Sequence, residues 1–191
     1  MGLKPGSKVG TSSFRREAQL NLLRKDIQVL GMRGNIDTRI RKLKNKEFDA
    51  IVLSFAGLKM LNLENEVKEI FSDDQMLPAV GQGVIALQSR YDDQEIFNIL
   101  KMINHKETFY CIQAERSLLE AIGGDCDTAV GGLAKSSNNK LILKSELFSD
   151  DGNKKFIAEN SGQFKDAKEI GYKTGKELLK KAGPDFKIKG N

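Results

Sequence analysis

Thr11-Ser12-Ser13-Phe14-Arg15-Arg16 sets three hydroxyls and two guanidiniums at one turn. A turn running from a strand into a helix offers anions the free N–H groups of the helix N-terminus, and arginine adds bidentate recognition of carboxylate or phosphate. The same residues also read as a serine N-cap followed by two solvated arginines, and the motif alone leaves both readings open. Arg33-Gly34-Asn35, with Arg39 one helical turn further on, repeats the design, and Gly34 permits close backbone approach. Arg24, Lys25, Arg41, Lys42, Lys44 and Lys46 read as a solvated basic face. Gly123-Gly124-Asp125-Cys126-Asp127 places a thiol in a glycine-rich loop, where it can act as a nucleophile or a point of covalent attachment. Asp125 and Asp127 disfavour a resting thiolate, and His105 is the single histidine, so attachment is better supported than a Cys–His hydrolase. Cys111, inside a helical pattern, reads as a small buried hydrophobe. Two cysteines and one histidine are too few for a disulfide framework or a zinc site.

These residues need elements to position them. Residues 8–13 read as a strand entering a polar turn, 14–25 as a helix, 27–30 as a strand and 35–43 as a helix. Residues 48–55 (FDAIVLSF) read as a third strand, closed by Ala56-Gly57-Leu58, with the near-continuous apolar run of a buried parallel strand. Such α/β units gather ligands at the carboxyl ends of their strands, which places both arginine turns on one rim. Residues 61–71 read as an acidic helix and 77–87 as a Pro- and Gly-punctuated connector leading into an apolar strand. Helices follow over 92–103 and 107–122, the second stopping at Gly123-Gly124. Segments 129–134, 141–148 and 155–160 read as an antiparallel meander, and 167–181 as a last amphipathic helix ending at Gly183-Pro184.

The chain has 191 residues and a formal net charge of +5, the size of one large or two small domains. Its 39% hydrophobic and 30% charged residues are the composition of a soluble globular protein. No stretch is apolar enough to span a bilayer, and the N-terminus shows no secretory h-region, so a cytoplasmic location without membrane attachment is expected. Residues 1–60 carry 13 Lys/Arg against 5 Asp/Glu, while residues 61–150 carry 8 against 15. A basic front before an acidic middle points to a local anion site. The absence of Trp and of aromatic residues among the basic segments disfavours a nucleic-acid binder.

VGTSSFRREAQL (9–20), RGNIDTRIRKL (33–43), FDAIVLSFAGLKML (48–61), LPAVGQGVIAL (77–87) and AERSLLEAIGGDC (114–126) together resemble the hydroxymethylbilane synthases, also called porphobilinogen deaminases. That family joins four porphobilinogen units head to tail, with loss of ammonia, on a covalently bound dipyrromethane primer in heme and tetrapyrrole biosynthesis. The resemblance implies that Cys126 bears the primer. It implies that Arg15, Arg16, Arg33 and Arg39 hold the acetates and propionates of primer, porphobilinogen and growing oligopyrrole. Thr11 and Ser13 then donate hydrogen bonds nearby, and Gln82 lines the cleft.

The fold so implied is an α/β, periplasmic-binding-protein-like domain 2, with a mostly parallel sheet, followed by a small α+β domain with a three-stranded antiparallel sheet. Domain 2 takes residues 1–76, a crossover returning to domain 1 takes 77–104, and domain 3 takes 105–191. Domain 1, with the family's catalytic aspartate, would precede residue 1. The 191 residues alone are therefore expected to be inactive, with primer loading in doubt, and to expose the crossover as a surface for self-association; the full-length family member is expected to be a monomer. Three departures stand out: Met60 where the family has a basic residue, Asp125 where it has a small one, and Ala129 where it has proline. A carboxylate-gripping module of the solute-binding type, without chemistry, is the alternative reading.

Overall fold

The computed structural model describes residues 2–124, 128–149, 151–184 and 186. The first half alternates strands and helices: β1 (Lys8–Thr11), α1 (Phe14–Leu23), β2 (Gln28–Gly31), α2 (Ile36–Lys44), β3 (Ala50–Ile51) and α3 (Phe55–Met60). The strands form a parallel sheet in the order β2-β1-β3, with Val9 opposite both Val29 and Ala50. Thr11 is in register with Gly31, so the turns after β1 and β2 leave the sheet side by side. Ser13 and Asn35 cap α1 and α2, each accepting from the backbone N–H three residues on. Val9, Leu20 and Ile27 form the buried core beneath them.

The second half holds α4 (Gln94–Ile103), α5 (Lys106–Ile122), β4 (Val130–Ser137), β5 (Lys140–Phe148), β6 (Lys155–Gly162) and α6 (Ala167–Ala182). The strands form an antiparallel sheet in the order β4-β5-β6. Asn138 and Asn139, at φ 49° and 59°, make the two-residue turn between β4 and β5. Along β5, Leu141, Leu143 and Leu147 alternate inward onto Ala114, Leu118 and Ile122 of α5 and Ile170 and Leu178 of α6. This is the larger core of the molecule.

Three expectations are corrected. The third strand is shorter than 48–55: only Ala50–Ile51 pair with β1, and Phe55–Met60 turn into a helix that approaches α2 closely, where a Cβ on Gly57 would lie 3.0 Å from Ile36 Cδ1. The helix expected over 61–71 is reduced to one 3-10 turn at Glu64–Glu66. Asn62, at φ 55°, takes the left-handed conformation and the Leu63 N–H bonds back to the Leu58 carbonyl, which terminates α3 instead of extending it. The apolar run at 83–87 forms no strand. A strand needs a neighbour to satisfy its backbone groups, and Ile85 here is 93% exposed. The helix that follows, α4, buries none of its residues.

Candidate anion-binding site

Two of the predicted arginines meet at the carboxyl ends of the strands. Arg16, in the first turn of α1, donates from Nη1 to the Val52 carbonyl just beyond β3, at 3.1 Å. Arg39, in α2, donates from Nε to the Gly34 carbonyl at 2.7 Å and from Nη2 to Ser12 Oγ at 3.0 Å. These bonds tie the β1 turn to the β2 turn and set both guanidiniums at the same rim. Ser13 caps α1 through its Oγ, which accepts from the Arg16 N–H at 3.4 Å. Thr11 is buried, and its Oγ1 accepts from the Ser13 N–H at 3.2 Å. Both hydroxyl oxygens thus shape the turn. Ser12, which sequence reasoning left aside, is the hydroxyl that orients Arg39.

Arg15 is placed differently from the rim position expected of it. It is 6% exposed, its Nη1 donates to the Leu77 carbonyl, and its Nε is buried with no partner. Consecutive helical residues point about 100° apart, so Arg15 turns toward the connector while Arg16 turns toward β3. Burial, and then the charge of Arg16, pushes the Arg15 guanidinium down to about 10. Burial, and then Arg39, lowers Arg16 as well. Among the described residues, none of Arg15, Arg16, Arg33 and Arg39 forms an ion pair. A desolvated cluster of like charge with an unused N–H is short of an anion, and a carboxylate supplies both the charge and the acceptor.

Other predicted residues stand apart. Arg33 is exposed and makes no hydrogen bond among the described residues. Gln82 is exposed beyond Gly81 and is not gathered with the arginines. Met60 is 86% exposed at the end of α3. Cys126 and Asp125 lie outside the described residues. The flanks of their loop are fixed: Gly123, at φ 74°, ends α5, and the Ala129 carbonyl accepts from the Phe148 N–H at 3.0 Å. Ala129 also lines a shallow cleft with Phe14, Glu17 and Ala18 of α1, so Ala129 lies beside the helix that carries Arg15 and Arg16. Cys111 is buried in α5, where burial and then Glu115 and Glu107 push its thiol up. That burial leaves the Cys111 thiol unreactive. Among the described residues no group of His, Cys, Asp and Glu is placed to hold a metal ion.

Sequence reasoning missed two buried polar residues. Gln19, one turn after Arg15, binds Leu77 by its backbone. Glu115, on α5, accepts from the Gly81 N–H at 2.7 Å through Oε2 and from the Ala134 N–H at 2.9 Å through Oε1. A signal was present for the second: Glu115 falls in the apolar stripe formed by Cys111, Ala114, Leu118 and Ile122, a place where a carboxylate must have partners. Burial raises the Glu115 carboxyl from its ordinary 4.5 by more than its two N–H donors lower it. The folded state therefore holds this proton more tightly than the unfolded chain. Stability from this group is full below the ordinary value and falls as pH rises through the raised one. Glu115→Gln cannot ionise, so its stability relative to the unmodified protein is expected to improve from about pH 4 upward. Urea unfolding at a series of pH values checks this, and a constant difference would contradict it.

A family sequence model described as porphobilinogen deaminase, dipyromethane cofactor binding domain, matches residues 1–98, more than half of the chain. A second, porphobilinogen deaminase, C-terminal domain, matches residues 109–180. The chain belongs to the porphobilinogen deaminase family. Porphobilinogen deaminase of Ehrlichia chaffeensis is 46% identical over 171 residues, covering 90% of this chain and 57% of that protein. The porphobilinogen deaminases of Syntrophomonas wolfei and Roseiflexus sp. are each 40% identical, over 92% and 95% of this chain. The chain spans 57% and 59% of their respective lengths. The desolvated Arg15 and Arg16 and the buried, unpartnered Arg15 Nε all lie in the segment that matches the dipyromethane cofactor binding domain of the porphobilinogen deaminase family.

Proposed function

We propose that this chain supplies the carboxylate-binding and primer-attachment parts of a hydroxymethylbilane synthase. That enzyme condenses four porphobilinogen molecules into linear hydroxymethylbilane, releasing ammonia. The observation that carries the reading is the pair Arg16 and Arg39 at the carboxyl ends of β1 and β2, with the buried Arg15 next to Arg16 on the same helix, none of them in an ion pair among the described residues and Arg15 and Arg16 both desolvated. Each pyrrole brings an acetate and a propionate, so a chain growing at this rim accumulates negative charge that fixed guanidiniums neutralise. Arg16 and Arg39 orient carboxylates at the rim, and Arg15 offers its buried Nε. Arg33 and Gln82, both exposed, are assigned to the ligand by the resemblance alone, as are the hydroxyls of Thr11 and Ser13 as donors. Dipyrromethane, held as a thioether on Cys126, supplies the nucleophilic pyrrole carbon to which units are added.

Residues 1–76 form domain 2, of periplasmic-binding-like type, residues 77–104 the crossover and residues 105–191 domain 3, in a cytoplasmic enzyme. The exposed residues of 83–103 give a polypeptide of these 191 residues a surface for self-association. The resemblance assigns the family's catalytic aspartate to domain 1. A polypeptide of these residues is accordingly expected to bind porphobilinogen and to release no ammonia from it.

Calorimetric titration with porphobilinogen tests the reading. Binding is expected, and an analogue with both carboxylates esterified is expected to lose it. Equal binding of the ester, or no binding of porphobilinogen, would remove the carboxylate assignment. Arg16→Gln deletes a charge-assisted hydrogen bond worth about 1.5–3 kcal/mol, so the dissociation constant is expected to rise about 10- to 100-fold.

A further inference from the structure

Residues 77–81 run between the two halves of the molecule, fastened at both ends. At the near end, Gln19 Oε1 accepts from the Leu77 N–H at 2.7 Å, while Gln19 Nε2 donates to the Leu77 carbonyl at 3.1 Å and to the Arg15 carbonyl at 3.3 Å. Arg15 Nη1 donates to the same Leu77 carbonyl. Gln19 and Leu77 are 4% and 1% exposed, so water cannot replace these partners. At the far end the Pro78 carbonyl accepts from the Gly132 N–H at 2.9 Å, and the Gly81 N–H donates to Glu115. Leu77 and Val80 press on Gly131 and Gly132 of β4, where Cβ atoms would approach them to 3.1 and 2.6 Å. Asp73 and Asp74, just before the segment, pair with Lys135 and Lys144 on the same sheet.

A primary amide is the side chain that can answer a backbone N–H and a backbone C=O of one residue together. We propose that Gln19 is a positioning residue of the carboxylate site. By holding Leu77 through both backbone groups it keeps Arg15 drawn inward with Nε unpartnered, and it couples carboxylate binding at Arg15 to docking of residues 77–81 on the second half. The coupling rests on the carboxylate reading of the cluster; the positioning of Arg15 does not. Linkage makes the effect reciprocal: a ligand on Arg15 tightens the segment, and a loosened segment weakens the ligand.

Gln19→Met keeps the length of the side chain and removes both polar atoms. Without ligand, phenylglyoxal labelling read by peptide mass is expected to modify Arg15 about tenfold faster in the variant, equivalent to the loss of about 1.4 kcal/mol of fixed contacts, with Arg33 unchanged. With porphobilinogen, the dissociation constant is expected to rise about tenfold. Amide exchange at Leu77 and Gly81 is expected to slow on binding in the unmodified chain and not in the variant. Unchanged labelling of Arg15 overturns the positioning role. Faster labelling with unchanged affinity and exchange leaves a structural clamp and overturns the coupling. Faster labelling in a chain that does not bind porphobilinogen supports the positioning of Arg15 and removes the substrate reading instead. Should Gln19→Met fail to fold, Glu115→Gln loosens the far end alone. It is expected to raise the same dissociation constant with Arg15 still slow to label, and an affinity equal to the unmodified chain overturns the coupling.

Discussion

Covalently held pyrrole is expected to vanish from Cys126→Ser and to persist in Cys111→Ser. The chain has two thiols, and their settings divide the roles. Cys111 sits in the apolar stripe of α5 against the larger core, with burial and two glutamates holding its thiol protonated. It has neither the exposure nor the thiolate character that carbon–sulfur bond formation requires. Cys126 follows Gly123 and Gly124 in the sequence, and Ala129, three residues after it, lines the cleft against α1. Serine is nearly isosteric but cannot form the thioether, so the change in attachment is all or none. Intact mass after denaturation reports the added pyrroles, and acidic Ehrlich reagent reports them as colour. Colour retained by Cys126→Ser, or lost from a folded Cys111→Ser, would defeat the assignment. The Ala129 departure leaves this argument intact: the residue acts through its carbonyl, which a proline also provides.

What the sequence made legible were signals carried by neighbouring residues. Asn138-Asn139 marks the β4–β5 turn because two adjacent residues must take positive φ, and Gly123 ends α5 for the same reason. The strand–turn–helix at Thr11 to Arg16 was legible because the cap, the hydroxyls and the guanidiniums lie within six residues. What failed depended on a distant partner. The run at 83–87 has the composition of a strand, but among the described residues no strand lies beside it, and composition cannot report a missing neighbour. Arg15 and Arg16 are adjacent and chemically identical, yet one is buried against Leu77 and the other reaches Val52. The difference is set by residues more than thirty positions away. Gln19 was invisible for that reason, since an isolated glutamine in a helix reads as surface. Asn62 shows the opposite case, a local stop that was present in the sequence and overlooked.

Gly171→Ala is expected to destabilise the second half by about 2–3 kcal/mol, a large share of the 5–15 kcal/mol that holds a typical domain together. This is the reverse of the usual effect of the substitution, because Ala in a helix interior is ordinarily worth about 1 kcal/mol over Gly. Gly171 and Gly175 lie four residues apart on the face of α6 that packs on α5, and both are buried. A Cβ at Gly171 would overlap the Ala114 carbonyl oxygen and reach 2.9 Å from Ser117 Cβ; one at Gly175 would reach 2.8 Å from the Leu118 carbonyl. Backbone atoms cannot rotate away as a side-chain tip does, so the helices must separate, and the packing lost exceeds the propensity gained. Their spacing is pinned further by Ser117 Oγ donating to the Lys168 carbonyl at 2.7 Å. Gly31→Ala is the control: no atom lies within 4 Å of its Cβ position and its φ is not positive, so a change within about 0.5 kcal/mol is expected. Urea midpoints for the two variants decide the matter, and a Gly171→Ala protein as stable as its parent would refute the close packing. The consequence reaches the site. α5 carries Glu115 on its inner face and ends at the glycines that open the Cys126 loop, so a shift of this helix moves the far anchor of residues 77–81 and the near anchor of the attachment loop together. Gly171→Ala is therefore expected to loosen porphobilinogen binding as well, by way of the Gly81 amide and without touching an arginine.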